Sequence, residues 1–82
     1  MDEQIICAEL RKFLKSSILA EGVEIEKDTL FKDVGIDSYS VIETVLFIER
    51  KFGVALPDEA LTPENLKSIE SLANCTMKCA ND

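Results

Sequence analysis

Histidine is absent from these 82 residues, and there are only two prolines and three glycines. No apolar run approaches the ~20 residues of a membrane-spanning helix. Each shortage excludes something. Without histidine, a serine or cysteine nucleophile lacks its commonest base, and a metal site lacks its commonest ligand. So little proline and glycine leaves few turning points for a turn-rich β architecture. The chain opens on Met1-Asp2-Glu3-Gln4, which has neither the basic nor the apolar region of a secretory leader. A cytoplasmic protein, not associated with membrane, is expected. Positive charge is also in deficit: 9 basic against 16 acidic residues give a net charge of −7. That disfavours nucleic acid, which needs cationic surface to displace counterions. It suits basic partner surfaces, or simply keeps the chain soluble. The three cysteines, Cys7, Cys75 and Cys79, are odd in number and argue against a disulfide framework. Cys75 and Cys79 share a face if the last helix reaches them, but two thiols are too few for a metal site.

What is present describes one small globular domain over residues 1–82. Hydrophobic residues make up 46% and charged residues 30%, a balance typical of folded chains. At this length roughly 60–65% of the unfolded surface is buried, so the core is small.

Spacing predicts an all-α chain. The first helix runs from about Glu3 to Ser17, with Ile6, Leu10, Phe13, Leu14 and Ser17 on one inward face. A long connection from Ser17 to Asp37 follows. Leu30 and Phe31 pin it, Asp28 or Thr29 caps a short turn within it, and Val34 and Ile36 anchor its far end. Gly35 allows a sharp entry into the second helix. That helix begins near Asp37 to Ser40 and stops at Phe52-Gly53. Ser40 and Glu43 fit the S-x-x-E capping pattern, with Asp37 and Ser38 as alternative caps. Its stripe is Ile42, Val45, Leu46, Glu49 and Phe52, widened by Val41 and Ile48. A short third helix over Leu61 to Leu66 takes Thr62 as cap and Pro63 as first residue. The last helix, capped by Ser68, carries Ile69, Leu72, Ala73 and Thr76, and frays from Cys79 to Asp82. Three main helices, one short third helix and a long first loop bury their faces most economically as an antiparallel bundle.

Among these elements one segment carries chemistry: Val34-Gly35-Ile36-Asp37-Ser38-Tyr39-Ser40, at the mouth of the second helix. Serine there is commonly a plain N-cap. The same place also offers free N–H groups and the positive end of a helix dipole, which suit a phosphate diester. Asp37 beside it can help hold the metal and diphosphate of an incoming donor, or serve only the helix end. Other chemistries fit less well. A Ser–Lys pair with Lys32 is formally available, but nothing in the sequence brings Lys32 to Ser38. A calcium-loop reading of Asp33 to Thr44 fails at Gly35, Ser38 and Thr44. No catalytic residues are assigned, and no enzyme activity is expected.

At this point the residues resemble a family. Leu30-Phe31-Lys32-Asp33-Val34-Gly35-Ile36-Asp37-Ser38-Tyr39-Ser40-Val41-Ile42-Glu43 is similar to the signature of acyl carrier proteins, in which Gly-x-Asp-Ser-Leu opens the second helix. The similarity continues through Ile48 to Val54 and Leu56-Pro57-Asp58-Glu59, and reaches from the first helix to Leu72. The resemblance implies a four-helix bundle with 4'-phosphopantetheine, drawn from coenzyme A, on Ser38. Asp37 is then the residue that the phosphopantetheinyl transferase recognises. The loaded carrier is a monomer that docks transiently on acyltransferase, ligase or synthase enzymes, and Tyr39, Val41, Glu43 and Glu49 form its docking face. Ile42, Leu46, Leu56, Ala60 and Ile69 are candidates to shelter cargo between helices, with ordinary core packing as the alternative for each.

Tyr39 stands where the family usually has leucine, and Ser40, Arg50 and Lys51 stand where fatty-acid-synthesis carriers often have acids. These departures favour a dedicated carrier in a specialised polyketide or fatty-acid-like pathway. Two alternatives stay open: a discrete aminoacyl or peptidyl carrier of nonribosomal-type assembly, and an unmodified helical interaction module.

Overall fold

The computed structural model describes residues 2–80. Its first helix, α1, spans Glu3–Ser17. Asp2 caps it by accepting a hydrogen bond from the Gln4 N–H at 2.8 Å. Ile6, Leu10 and Leu14, spaced by one turn each, are fully buried. Phe13 is half-buried and Ser17 is exposed, so the inward face is narrower than the expected one and ends at Leu14.

The connection from α1 to the second helix is ordered by what it touches. It turns at Gly22, whose φ of 87° favours glycine. Ile25 is buried, a pin that the spacing did not suggest; Phe31 is buried as expected, and Leu30 only half so. Thr29 accepts the Glu26 N–H through its hydroxyl, and a 3₁₀ turn follows over Phe31–Val34. Two backbone bonds tie this connection to the far end of the chain: Phe31 N–H to the Lys67 carbonyl at 2.8 Å, and Glu70 N–H to the Lys27 carbonyl at 2.9 Å.

Helix α2 spans Ser38–Phe52 and ends at Gly53, which adopts the left-handed conformation at φ 68°. Its buried residues are Val41, Thr44, Val45 and Ile48. Ile42 and Leu46, expected inside, are 45% and 50% exposed. The helix is apolar on nearly every side from Val41 to Ile48, so composition alone leaves the phase of its stripe open. Thr44 decides it: its hydroxyl donates to the Ser40 carbonyl at 2.8 Å, so the side chain enters the core with its polarity satisfied. Phe13 of α1 stacks on Phe47 with ring centroids 4.3 Å apart, and Phe52 meets Phe47 edge-on.

The expected short helix over Leu61 to Leu66 is replaced by two smaller pieces. A 3₁₀ turn occupies Asp58–Ala60, and residues 62–66 form one hydrogen-bonded turn, with the Leu66 and Asn65 N–H groups on the Thr62 carbonyl. Thr62 does cap it, accepting the Asn65 N–H through its hydroxyl. Beyond the turn the backbone takes other partners: the Asn65 carbonyl accepts the Ser71 hydroxyl and the Lys67 carbonyl accepts the Phe31 N–H.

Helix α3 spans Ile69–Ala80. Ser68 and Ser71 cap its start reciprocally, each accepting the other's N–H through its hydroxyl. Ile69, Leu72, Ala73, Cys75 and Thr76 are buried. Thr76, intrinsically a weak helix former, donates its hydroxyl to the Leu72 carbonyl. Cys79 and Ala80, expected to fray, are helical; Asn81 and Asp82 lie outside the described residues. α1 packs mainly on α3 and less on α2. The three helices and the pinned connection enclose a single all-α core, and no strand occurs among the described residues.

Candidate functional site

The segment singled out by sequence lies where the first connection becomes α2. Gly35, at φ 78°, ends the 3₁₀ turn and reverses the chain into Ile36, which is buried. Asp37 then caps α2. Its carboxylate accepts the Ser40 N–H at 2.9 Å and its carbonyl accepts the Val41 N–H at 3.0 Å. The hydrogen bond from the Ser40 N–H, first, and the Ser40 hydroxyl, second, hold the Asp37 carboxyl below the usual aspartate range. Asp37 therefore takes the cap role that the sequence left open among three residues.

That assignment frees Ser38. It is the first residue of α2, exposed, and no hydrogen bond among the described residues holds its hydroxyl. The hydroxyl stands at the positive end of the α2 dipole. Beside it runs a groove of about 360 Å³. The connection supplies one wall with Leu30, Phe31 and Lys32, α2 supplies Ser38 and Val41, and the 62–66 turn and its exit supply Pro63, Leu66 and Lys67. Lys32 and Ser38 thus share a groove, which the sequence did not indicate, but the Lys32 ammonium makes no hydrogen bond to the Ser38 hydroxyl that would prime it as a nucleophile.

The four expected docking residues separate. Tyr39 is 74% exposed. Val41 is 8% exposed and belongs to the core, so it offers a partner almost nothing. Glu43 is half-buried. Glu49 is engaged internally: its carboxylate accepts the Leu56 N–H at 3.1 Å and holds the segment after Gly53 against the helix. The outward apolar stripe of α2 is instead Tyr39, Ile42 and Leu46, spaced three and four apart. The five residues proposed to shelter cargo do not gather either. Ile42 and Leu46 face outward, Leu56 and Ile69 are core, and none of the five lines the groove at Ser38. The signal that finds the groove is non-local, since its walls come from segments more than twenty residues apart in sequence.

Among the described residues no cluster of three or more acidic, cysteine or histidine side chains could hold a metal ion, and no helix is long and apolar enough to cross a membrane. Burial, then Glu3, pushes the Cys7 thiol up from its ordinary range; burial, then Cys79, does the same for Cys75. Both shifts disfavour the thiolate, the reactive form.

Residues 4–76 match the family model described as a phosphopantetheine attachment site. The anthracycline acyl carrier protein DauA of Streptomyces sp. strain C5 is 43% identical over 71% of this chain and 73% of its own length. A chain in the crystal structure of Bradyrhizobium japonicum glycine–carrier-protein ligase, complexed with its cognate carrier protein, superposes with a TM-score of 0.73 at 26% identity, covering 93% of this chain and 96% of that one. The acyl carrier protein of Thermotoga maritima shares the fold, with a TM-score of 0.75 at 21% identity over 99% of this chain and 93% of that one.

Proposed function

Because this chain belongs to the acyl carrier protein family, whose prosthetic group is covalently attached 4'-phosphopantetheine, we propose that Ser38 is its attachment residue and that the chain carries acyl intermediates in a specialised, polyketide-like pathway. The observation that carries this reading is the division of labour at the mouth of α2. Asp37 takes over the capping, and the neighbouring hydroxyl is left exposed and unbonded at a helix N-terminus. The residues fit the group: a serine oxygen open to a transferase, a helix dipole suited to a phosphate, and a groove alongside. When bound, the arm supplies a terminal thiol on which a substrate rides as a thioester.

The chain's own residues do the rest. Asp37 fixes the start of the helix, so Ser38 is displayed at a set angle, and its carboxylate is available to a transferase-bound cation. Tyr39, Ile42 and Leu46 give partners an apolar strip, with Glu43 beside it as the acidic contact. Phosphopantetheinyl transferase, acyltransferase, ligase and synthase enzymes are the partners this surface would meet, with the carrier acting as a monomer in the cytoplasm and without catalytic activity of its own. Similarity to the anthracycline carrier favours polyketide-like cargo. An aminoacyl cargo is the second reading, supported by the close superposition on a chain from the glycine ligase complex.

The test is intact mass before and after incubation with coenzyme A and a broad-specificity phosphopantetheinyl transferase, with Ser38→Ala in parallel. The wild type should gain one phosphopantetheine and the variant none. A variant that still gains the mass would place the attachment elsewhere.

A further inference from the structure

Beside Ser38 the structure leaves one electrostatic problem and one answer to it. Asp37 is the α2 cap, its carboxylate accepting the Ser40 N–H, a bond that favours the ionised form. A phosphate diester on the next residue would stand against a fixed negative charge, and like charges at such range repel. Two cations line the groove, Lys32 and Lys67. Lys67 is already engaged, its ammonium 3.2 Å from the Glu64 carboxylate. Lys32 is exposed, and no carboxylate among the described residues lies within ion-pair distance of it. The 3₁₀ turn that carries Lys32 is fixed in place by the buried Phe31 and by the bond from the Phe31 N–H to the Lys67 carbonyl. Leu30, Ile36, Pro63 and Leu66 give the same groove an apolar lining, beside the carboxylates of Asp37 and Glu64.

We infer that Lys32 anchors the phosphate diester on Ser38 and that the apolar lining of this groove seats the first part of the pantetheine chain, so that the resting arm lies along the connection rather than free in solvent. This rests on the reading of Ser38 as the attachment residue. Lys32 is a positioning residue: it offsets the Asp37 charge and biases the arm toward the groove, while partner docking stays on Tyr39, Ile42 and Leu46. An exposed ion pair contributes modestly, so Lys32 should favour the seated arm about two- to fivefold over the free one. Raised salt should weaken that preference by screening the pair.

The test compares amide ¹H–¹⁵N spectra of the apo protein and the protein loaded from coenzyme A, with loading at Ser38 established separately by intact mass and peptide mapping. In the wild type, loading should shift Leu30 to Ile36 and also Glu64 to Lys67, across the groove from the attachment point. In Lys32→Gln, loaded to the same extent, the shifts at Glu64 to Lys67 should shrink; in Lys67→Gln they should persist, because Glu64 already occupies that cation. Shift changes confined to Asp37, Ser38 and Tyr39 in a fully loaded wild type would overturn the seat. Undiminished shifts in Lys32→Gln would overturn the anchor. Mass gained on a residue other than Ser38 would instead overturn the attachment reading on which both depend.

Discussion

Asp37, read as a possible cap, and Glu49, read as a docking charge, each act as a structural clasp on α2. Folding lowers the Asp37 pKa through its bond from the Ser40 N–H. Its contribution is therefore complete above the pKa of the unfolded chain and is lost as pH falls through the lower, folded value. Urea melts taken from roughly pH 5 down to 2 should show the wild type losing more stability than Asp37→Asn, which has no charge to lose. Equal losses would mean that the cap bond does not depend on ionisation. Glu49 accepts the Leu56 N–H. Glu49→Ala should cost about 1 kcal/mol in urea denaturation, with Glu49→Gln, which keeps an acceptor oxygen, falling between it and the wild type. If Glu49→Ala melts like the wild type, the residue returns to the candidate docking face.

At the level of elements, Gly53 terminates α2 in a conformation that L side chains avoid, and a Cβ there would meet nothing within 4 Å. Gly53→Ala should therefore carry a purely conformational cost of about 1 kcal/mol, measurable by denaturation, with the far-ultraviolet spectrum unchanged. The elements also show which sequence signals can be trusted. α1 and the stop of α2 were legible because period and caps agree: Ile6, Leu10 and Leu14 are on one face, and glycine follows Phe52. The phase of α2 was not legible, because Ile42, Leu46 and Phe47 stand among Val41, Val45 and Ile48, and the polar row of Glu43 and Arg50 is too narrow to say which apolar side turns inward. Thr44, which the apolar stripe omitted, is buried because its hydroxyl bonds within its own helix. The third segment misled for another reason. Thr62-Pro63 is a sound helix start, but the backbone beyond it is drawn to other partners, the nearby Ser71 hydroxyl and the Phe31 N–H, which is remote in sequence. α3 ran further than Asn74 and Thr76 suggested because tertiary burial of Cys75 and Thr76 outweighs their weak propensity.

Across the whole molecule the core is small enough that single contacts matter. Ile48 is fully buried. Ile48→Ala should cost about 2–5 kcal/mol, a large share of the ~5–15 kcal/mol expected for a domain, and should lower the thermal midpoint sharply. A melt close to the wild type would mean that the core closes around the gap. The candidate site divides along the same line between local and distant. Ser38 could be found from its neighbours in the chain, since a helix mouth is a local object. The groove could not, because Lys32 and Lys67 meet only once the first connection is laid against the start of α3.

Those two backbone bonds, at Phe31 and Glu70, have a consequence for how the molecule breathes. They form a seam between the connection and α3, and neither amide can meet a catalytic hydroxide until the seam parts. The Phe31 and Glu70 amides should therefore exchange slowly with solvent, although the connection around Phe31 is largely exposed. If Ser38 carries the proposed arm, this seam fixes the groove wall beside it, so that the arm meets a wall held to the body of the protein.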